Sequence, residues 1–199
     1  MKSKFNKLFE DVLYNVKSTF MLTELNSLKR SIIALHTILS DHNINYVIIG
    51  GIAIEEYGYA RFTEDIDILV DLKDKEKLLN IPPGFIQSIS DRTFYLHEPK
   101  IKVEVLYSGD YTGAHNDGIQ FISPKKLLEY RGGIPFLTLP HLIEYKISAG
   151  MYGNNRKYKD YNDVIMLIQK HKLPRNLGIT NNFREDLNTE YIKLFDEIK

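Results

Sequence analysis

Gly50-Gly51 closes an apolar run, Tyr46-Val-Ile-Ile49, and the pair Asp65-Ile-Asp67 lies inside a second apolar run that reaches Val70. Side chains alternate faces along a strand, so Asp65 and Asp67 project together while Ile66 and Ile68 project to the other side. Two carboxylates held side by side repel each other unless a proton or a cation stands between them. A hard divalent cation meets that need, and Mg²⁺ typically takes one or two protein carboxylates together with substrate phosphates. The chemistry these residue types point to is metal-assisted reaction at a phosphate. An Asp-x-Asp alone equally describes a solvated strand face, so its neighbours decide the matter.

Three neighbours bear on it. Gly50-Gly51 precedes a predicted short helix, Ile52–Tyr57, and glycines there let backbone approach a ligand closely while helix amides face an anion. Ile101-Lys-Val-Glu-Val-Leu106 reads as a strand that carries Glu104 on the face opposite Val103 and Val105. Glu104 can complete a three-carboxylate set, either deprotonating an attacking hydroxyl or holding a second metal. Arg61 and Thr63 lead into the aspartates, and an arginine there can meet triphosphate oxygens.

The elements that must position these groups follow from periodicity. Phe5, Leu8, Phe9, Val12, Leu13 and Val16 mark one amphipathic helix, and Leu22 to Leu39 mark a second that ends near Asp41. Tyr46–Ile49 and Ile66–Asp71 read as strands and Lys73–Leu79 as a helix. Phe85–Ile89, Thr93–His97 and Ile101–Leu106 read as a meander of short strands. Ile119–Ile122 is expected as an edge strand, Ser123–Tyr130 as a helix begun by Ser-Pro, and Ile134–Thr138 as a strand. Helices are expected over His141–Met151, Asn155–His171 and Phe183–Ile198. The expectation is an α+β fold: a small mixed sheet flanked by helices, with N-terminal helices and a C-terminal helical part. Its units would be a helical segment 1–42, an α/β core 43–139, and a helical part 140–199 that completes the cleft.

Bulk properties narrow the classes. The 199 residues are 43% apolar and 12% aromatic, enough for a real core. Lys+Arg and Asp+Glu balance at 26 each, so no global field draws nucleic acid or membrane. Cysteine is absent, which removes disulfides and thiolate metal sites and makes a cytoplasmic setting the expectation. Apolar runs fall far short of the ~20 residues of a membrane helix. The six histidines show no metal-ligand spacing on one helix. Neither a Walker A loop nor a dinucleotide glycine fingerprint is present.

Gly50-Gly51, the spacer, Asp65-Ile-Asp67 and Val103-Glu104-Val105 together resemble the signature of the polymerase-beta-type nucleotidyltransferase superfamily. Within it, Gly50, Gly51, Gly58, Arg61, Thr63, Asp65 and Asp67 are similar to the minimal nucleotidyltransferases that include abortive-infection toxins. Such proteins carry a later helical lysine and a Lys-x-Arg-Asp-like motif, which Lys146 and Lys157-Tyr-Lys159-Asp160 resemble, with Lys159 in the arginine position. Glu104 stands where aspartate is usual, and Gly51 replaces the serine of the Gly-Ser form.

The resemblance implies a transfer of a nucleoside monophosphate from an NTP to an acceptor hydroxyl. Asp65, Asp67 and Glu104 would hold Mg²⁺ or Mn²⁺, and Gly50, Gly51, Arg61 and Thr63 would bind nucleotide with Lys146, Lys157, Lys159 and Asp160. It implies an acceptor among tRNA, protein and small molecules, and a cognate antitoxin as a possible partner. Charges spaced like those of residues 146–160 normally form a solvated face. Lys146, however, borders the apolar stripe Leu142, Ile143, Ile147 and Met151, so it can point into a cleft. Asp160 can orient such a lysine, and Asp163 reads as surface. Two other readings compete: a catalytically inactive regulatory or antitoxin-like protein of the same fold, and a helical interaction protein. In the last of these the three acids would lie apart.

Overall fold

In the computed structural model, residues 27–84, 86–97, 100–113, 116–153 and 156–198 are described. The expected helix over residues 5–16 lies outside them. The first described element is α1, residues 27–41. Ile32, Leu35 and Leu39 recur along it at three- and four-residue steps and are buried, which is the helical period at work. It stops where Asn43 adopts a left-handed φ of 51° and Ile44 N donates back to Leu39 O.

Fully apolar β1 (Tyr46–Ile48) then runs through the middle of a seven-stranded mixed sheet of order β3-β4-β5-β2-β1-β7-β6. A run with no polar alternation suits a strand covered on both faces. The bend after β1 opens α2 (Gly50–Glu56), and the chain returns as β2 (Asp65–Val70), antiparallel to β1. A short 3-10 turn, Leu72–Asp74, leads into α3 (Lys75–Leu79). The meander β3 (Ile86–Ser88), β4 (Thr93–Leu96) and β5 (Lys102–Tyr107) is antiparallel within itself, and β5 docks parallel against β2.

Two expectations change between residues 119 and 131. Ile119–Ile122 makes an isolated bridge, Tyr111 with Gln120, and folds back on residues 109–112 instead of joining the sheet edge. The helix expected over Ser123–Tyr130 is a single 3-10 turn, Pro124–Lys126, followed by β6 (Leu128–Arg131). Gly132 and Gly133 both take positive φ, 56° and 85°, which a two-residue hairpin turn demands. That turn pairs β6 with β7 (Ile134–Leu137) and overrides the Ser-Pro helix signal.

The chain ends in α4 (Leu139–Tyr152), α5 (Lys157–His171), the short α6 (Leu177–Thr180) and α7 (Glu185–Asp196). Leu142, Ile143 and Ile147 of α4, Val164, Leu167 and Ile168 of α5, and Leu187, Tyr191 and Leu194 of α7 are buried. Each fully buried aliphatic side chain contributes about 1.5–3 kcal/mol, so these helices are held by their packing. Among the described residues no helix is long and apolar enough to cross a membrane.

Candidate active site

Register brings the acids together. In the parallel β2–β5 pair, Asp67 stands opposite Glu104 and Asp65 opposite Lys102. Ile66, Ile68, Val103 and Val105 fill the core on one face, which forces all three carboxylates onto the other. One oxygen from each of Asp65, Asp67 and Glu104 lies within 4.8 Å of the others. Among the described residues this is the grouping of His, Asp and Glu that could hold a metal ion.

The glycine bend is fastened to these acids. Ile49 N donates to Asp67 O at 3.0 Å, which ties the residue after β1 to β2. Gly50 has φ +65°, and a Cβ there would lie 1.9 Å from Asp67 Oδ2. Only a residue without a side chain fits that position. A Cβ on Gly51 would lie 2.9 Å from Thr63 Oγ1. Thr63 Oγ1 in turn donates to Asp65 Oδ1 at 3.1 Å and orients it.

Electrostatics point the same way. Burial, then the negative Asp65 and Glu104, push the Asp67 carboxyl up to about 6, with Lys146 and Arg156 pulling the other way. Three oxygen-donor carboxylates with too few nearby positive charges fit a hard divalent cation such as Mg²⁺. Lys102 Nζ pairs with Glu104 Oε1 at the outer edge of the set.

A cleft of about 350 Å³ is lined by Asp67 and Glu104, by Lys146, Arg156 and Asp160, and by apolar residues that include Leu106, Phe121 and Leu142. Lys146 is 7% exposed, as its place on the apolar stripe predicts. Its Nζ lies 2.6 Å from Asp160 Oδ1 and 2.9 Å from Asp163 Oδ2. Among the described residues Asp160 Oδ2 is buried without a hydrogen-bond partner, which adds negative potential at the lysine. Asp163 is not at the surface: it is 1% exposed and also receives Arg61 Nη1 at 2.5 Å. Helix geometry puts residues 160 and 163 on one face, and Val164, Leu167 and Ile168 bury that face.

The remaining expected residues are placed as follows. Arg61 is engaged by Asp163. Lys157 lies on the exposed side of α5, its Nζ 5.3 Å from the centre of the Tyr161 ring. Lys159 is exposed and is held below its ordinary pKa by partial burial and by Arg61, Arg156 and Lys146. Arg156, which lines the cleft, escaped the sequence reading; its adjacency to the Lys157–Asp160 motif was the available signal.

No protein-family model matches the chain and no curated protein matches it by sequence. Solved structures do resemble it. JHP933 from Helicobacter pylori is 14% identical with a TM-score of 0.50, over 88% of this chain and 91% of that one. The antibiotic-resistance factor ANT(2'')-Ia is 13% identical over 85% and 95%, with a TM-score of 0.49. An antigenic nucleotidyltransferase-like protein from Paracoccidioides brasiliensis is 19% identical over 72% and 76%, with a TM-score of 0.47. At these identities the likeness concerns the fold: an α+β chain with a mixed sheet flanked by helices.

Proposed function

We propose that the chain is a metal-dependent nucleotidyltransferase that moves a nucleoside monophosphate from an NTP to an acceptor hydroxyl. The observation that carries this is the convergence of Asp65, Asp67 and Glu104 within 4.8 Å, with Asp67 and Glu104 lining the cleft. A helical interaction protein would have no reason to gather three carboxylates on a half-buried sheet face, where they repel.

Asp65 and Asp67, with Glu104 beside them, would hold Mg²⁺ or Mn²⁺, which when bound supplies neutralisation of the phosphate oxygens. The chain's own residues do the rest. Gly50 leaves room at Asp67 for a phosphate, and Thr63 keeps Asp65 aimed inward. Glu104 takes the proton of the acceptor hydroxyl as its oxygen attacks the α-phosphorus; the α–β bridging bond breaks and pyrophosphate leaves. Lys146, fixed by Asp160 and Asp163, and Arg156 set positive charge opposite the acids, where the leaving group gathers negative charge. A cytoplasmic toxin partnered by an antitoxin is the setting the sequence resemblance suggests for such an activity.

The test is transfer of label from α-³²P NTPs in the presence of Mg²⁺ or Mn²⁺, with Asp65→Asn and Asp67→Asn as controls. Transfer by the wild type and its loss in both variants support the reading. A folded wild type that binds no NTP with either metal rules it out.

A further inference from the structure

A second pocket, of about 100 Å³, shares no lining residue with the cleft. His36 and Ser40 of α1, Tyr46 at the start of β1, Lys125 of the 3-10 turn, Tyr130 of β6 and Pro135 of β7 all line it. We infer that this pocket binds a phosphate-sized oxyanion, whether or not the chain is a transferase. Size is the first support. A cavity of about 150 Å³ admits a benzene ring, so this one has room for a group of about five heavy atoms.

The polar groups at its wall are donors. Among the described residues no Asp or Glu lines the pocket, and Lys125 makes no ion pair or hydrogen bond. Tyr46 is 5% exposed, and its Oη lies 2.8 Å from His36 Nδ1. Burial, then the neighbouring Tyr130, holds the Tyr46 phenol far above its ordinary pKa, so it keeps its hydrogen. If Tyr46 donates to Nδ1, the hydrogen of a neutral His36 ring sits on Nε2; if Nδ1–H donates, the Tyr46 O–H is left over. Either way the pair retains a donor hydrogen that no described acceptor takes. Ser40 and Tyr130, both exposed, add hydroxyls.

One ammonium and several neutral donors, with no carboxylate in competition, suit an acceptor-only ligand that carries negative charge. A cation would meet Lys125, and an apolar group would leave the donors unmet. The pocket also joins distant parts of the chain. His36 and Ser40 are four apart and share a strip of α1, while Tyr130 pairs with Pro135 across the hairpin. An oxyanion held among them would tie α1 and the β6–β7 hairpin to β1, the strand that leads to Gly50. A ligand bound by the folded form alone adds to its stability as its concentration rises.

The experiment uses the full chain without NTP or metal, titrated with inorganic phosphate while chloride holds the ionic strength constant. Backbone amide shifts of His36, Ser40, Lys125 and Tyr130, followed by NMR, are expected to move along one saturable isotherm. Lys125→Gln, an exposed change, should weaken that binding about tenfold or more, and Tyr130→Phe should weaken it by a smaller factor. Arg156→Gln removes a cation of the cleft and should leave these shifts as they are. Methyl phosphate in a parallel titration separates two sources of the group. Equal binding means that the head of a phosphate ester enters, and binding of inorganic phosphate alone means a free anion; either result upholds the site. No saturable shift would mean that water alone fills the pocket and would overturn the inference. So would an isotherm unaltered by Lys125→Gln, or one that Arg156→Gln abolishes, which would put the anion in the cleft. None of these outcomes bears on transferase activity, which the labelled-NTP assay tests separately.

Discussion

Arg61 Nη1 donates to Asp163 Oδ2 at 2.5 Å, joining the loop that enters β2 to the middle of α5. The same oxygen holds Lys146 at 2.9 Å, so one buried carboxylate positions both a cation of the loop and the lysine that lines the cleft. Removing one member of a buried pair strands the others without compensation, at a cost of about 3–5 kcal/mol. Asp163→Ala is expected to lose stability in that range in urea titrations and to lower nucleotide affinity. Arg61→Ala should cost less, because Asp163 keeps Lys146. Equal stability of Asp163→Ala and wild type would show that the network is not holding the cleft.

Gly50 and Gly51 differ in what they tolerate. At Gly50 an added methyl group meets both a left-handed φ of +65° and the Asp67 carboxylate. Gly50→Ala is expected to cost about 1–3 kcal/mol and to remove metal-dependent NTP binding together with transfer. Gly51→Ala presses on Thr63, whose side chain can turn, so a smaller loss of activity is expected. Steady-state kinetics of the two variants decide the order, and a more damaging Gly51→Ala would contradict the geometry.

What the chain disclosed in advance depended on the range of each interaction. The period-two alternation of β2 and β5 is local, and by itself it puts Asp65 and Asp67 on one face of their strand and Glu104 on the face opposite Val103 and Val105. Their meeting needed only that the two strands pair in register, which they do. Asp163 was illegible because its partner Arg61 is 102 positions away, and an aspartate on a helix otherwise reads as solvated. Lys146 was legible through its apolar neighbours Ile143 and Ile147. The hairpin at β6 was misread because Ser123-Pro124 is a fair helix start. The turn at Gly132-Gly133 and the pairing with β7 decided the conformation instead.

Asp67 sets a pH dependence. Its folded-state value near 6 lies above the ordinary 3.8, so the folded protein holds this proton more tightly than the unfolded chain does. The contribution to stability is therefore greatest below about pH 4 and is lost as pH rises to about 6, by roughly 2–3 kcal/mol. Asp67→Asn is expected to raise the melting temperature of the metal-free protein at pH 7.5, while abolishing transfer. On the proposed reading Mg²⁺ would bind the ionised set, so its stabilising effect on the wild type should grow from pH 5 to pH 7 and be much reduced in the variant. Thermal melts with and without Mg²⁺ at these pH values check both signs, and a destabilised Asp67→Asn would refute the account.

Lys102 and Glu104 provide the last discrimination. They are i, i+2 neighbours on β5 and share a face, so Lys102 reaches along the strand to the Glu104 carboxylate. Both side chains are more than a third exposed, and a pair of that kind contributes about 0–1 kcal/mol. Lys102→Ala should therefore leave stability within about 1 kcal/mol of wild type. Its effect should fall on metal binding, because the ammonium competes with a divalent cation for the same carboxylate. Calorimetric titration of the variant with Mn²⁺ is expected to show tighter binding than wild type. Glu104→Gln removes the charge for which they compete, and should slow transfer about 10²- to 10⁴-fold with NTP affinity retained. If Lys102→Ala binds Mn²⁺ no more tightly, Glu104 takes no part in holding the cation. Loss of turnover in Glu104→Gln would then isolate its role as the base.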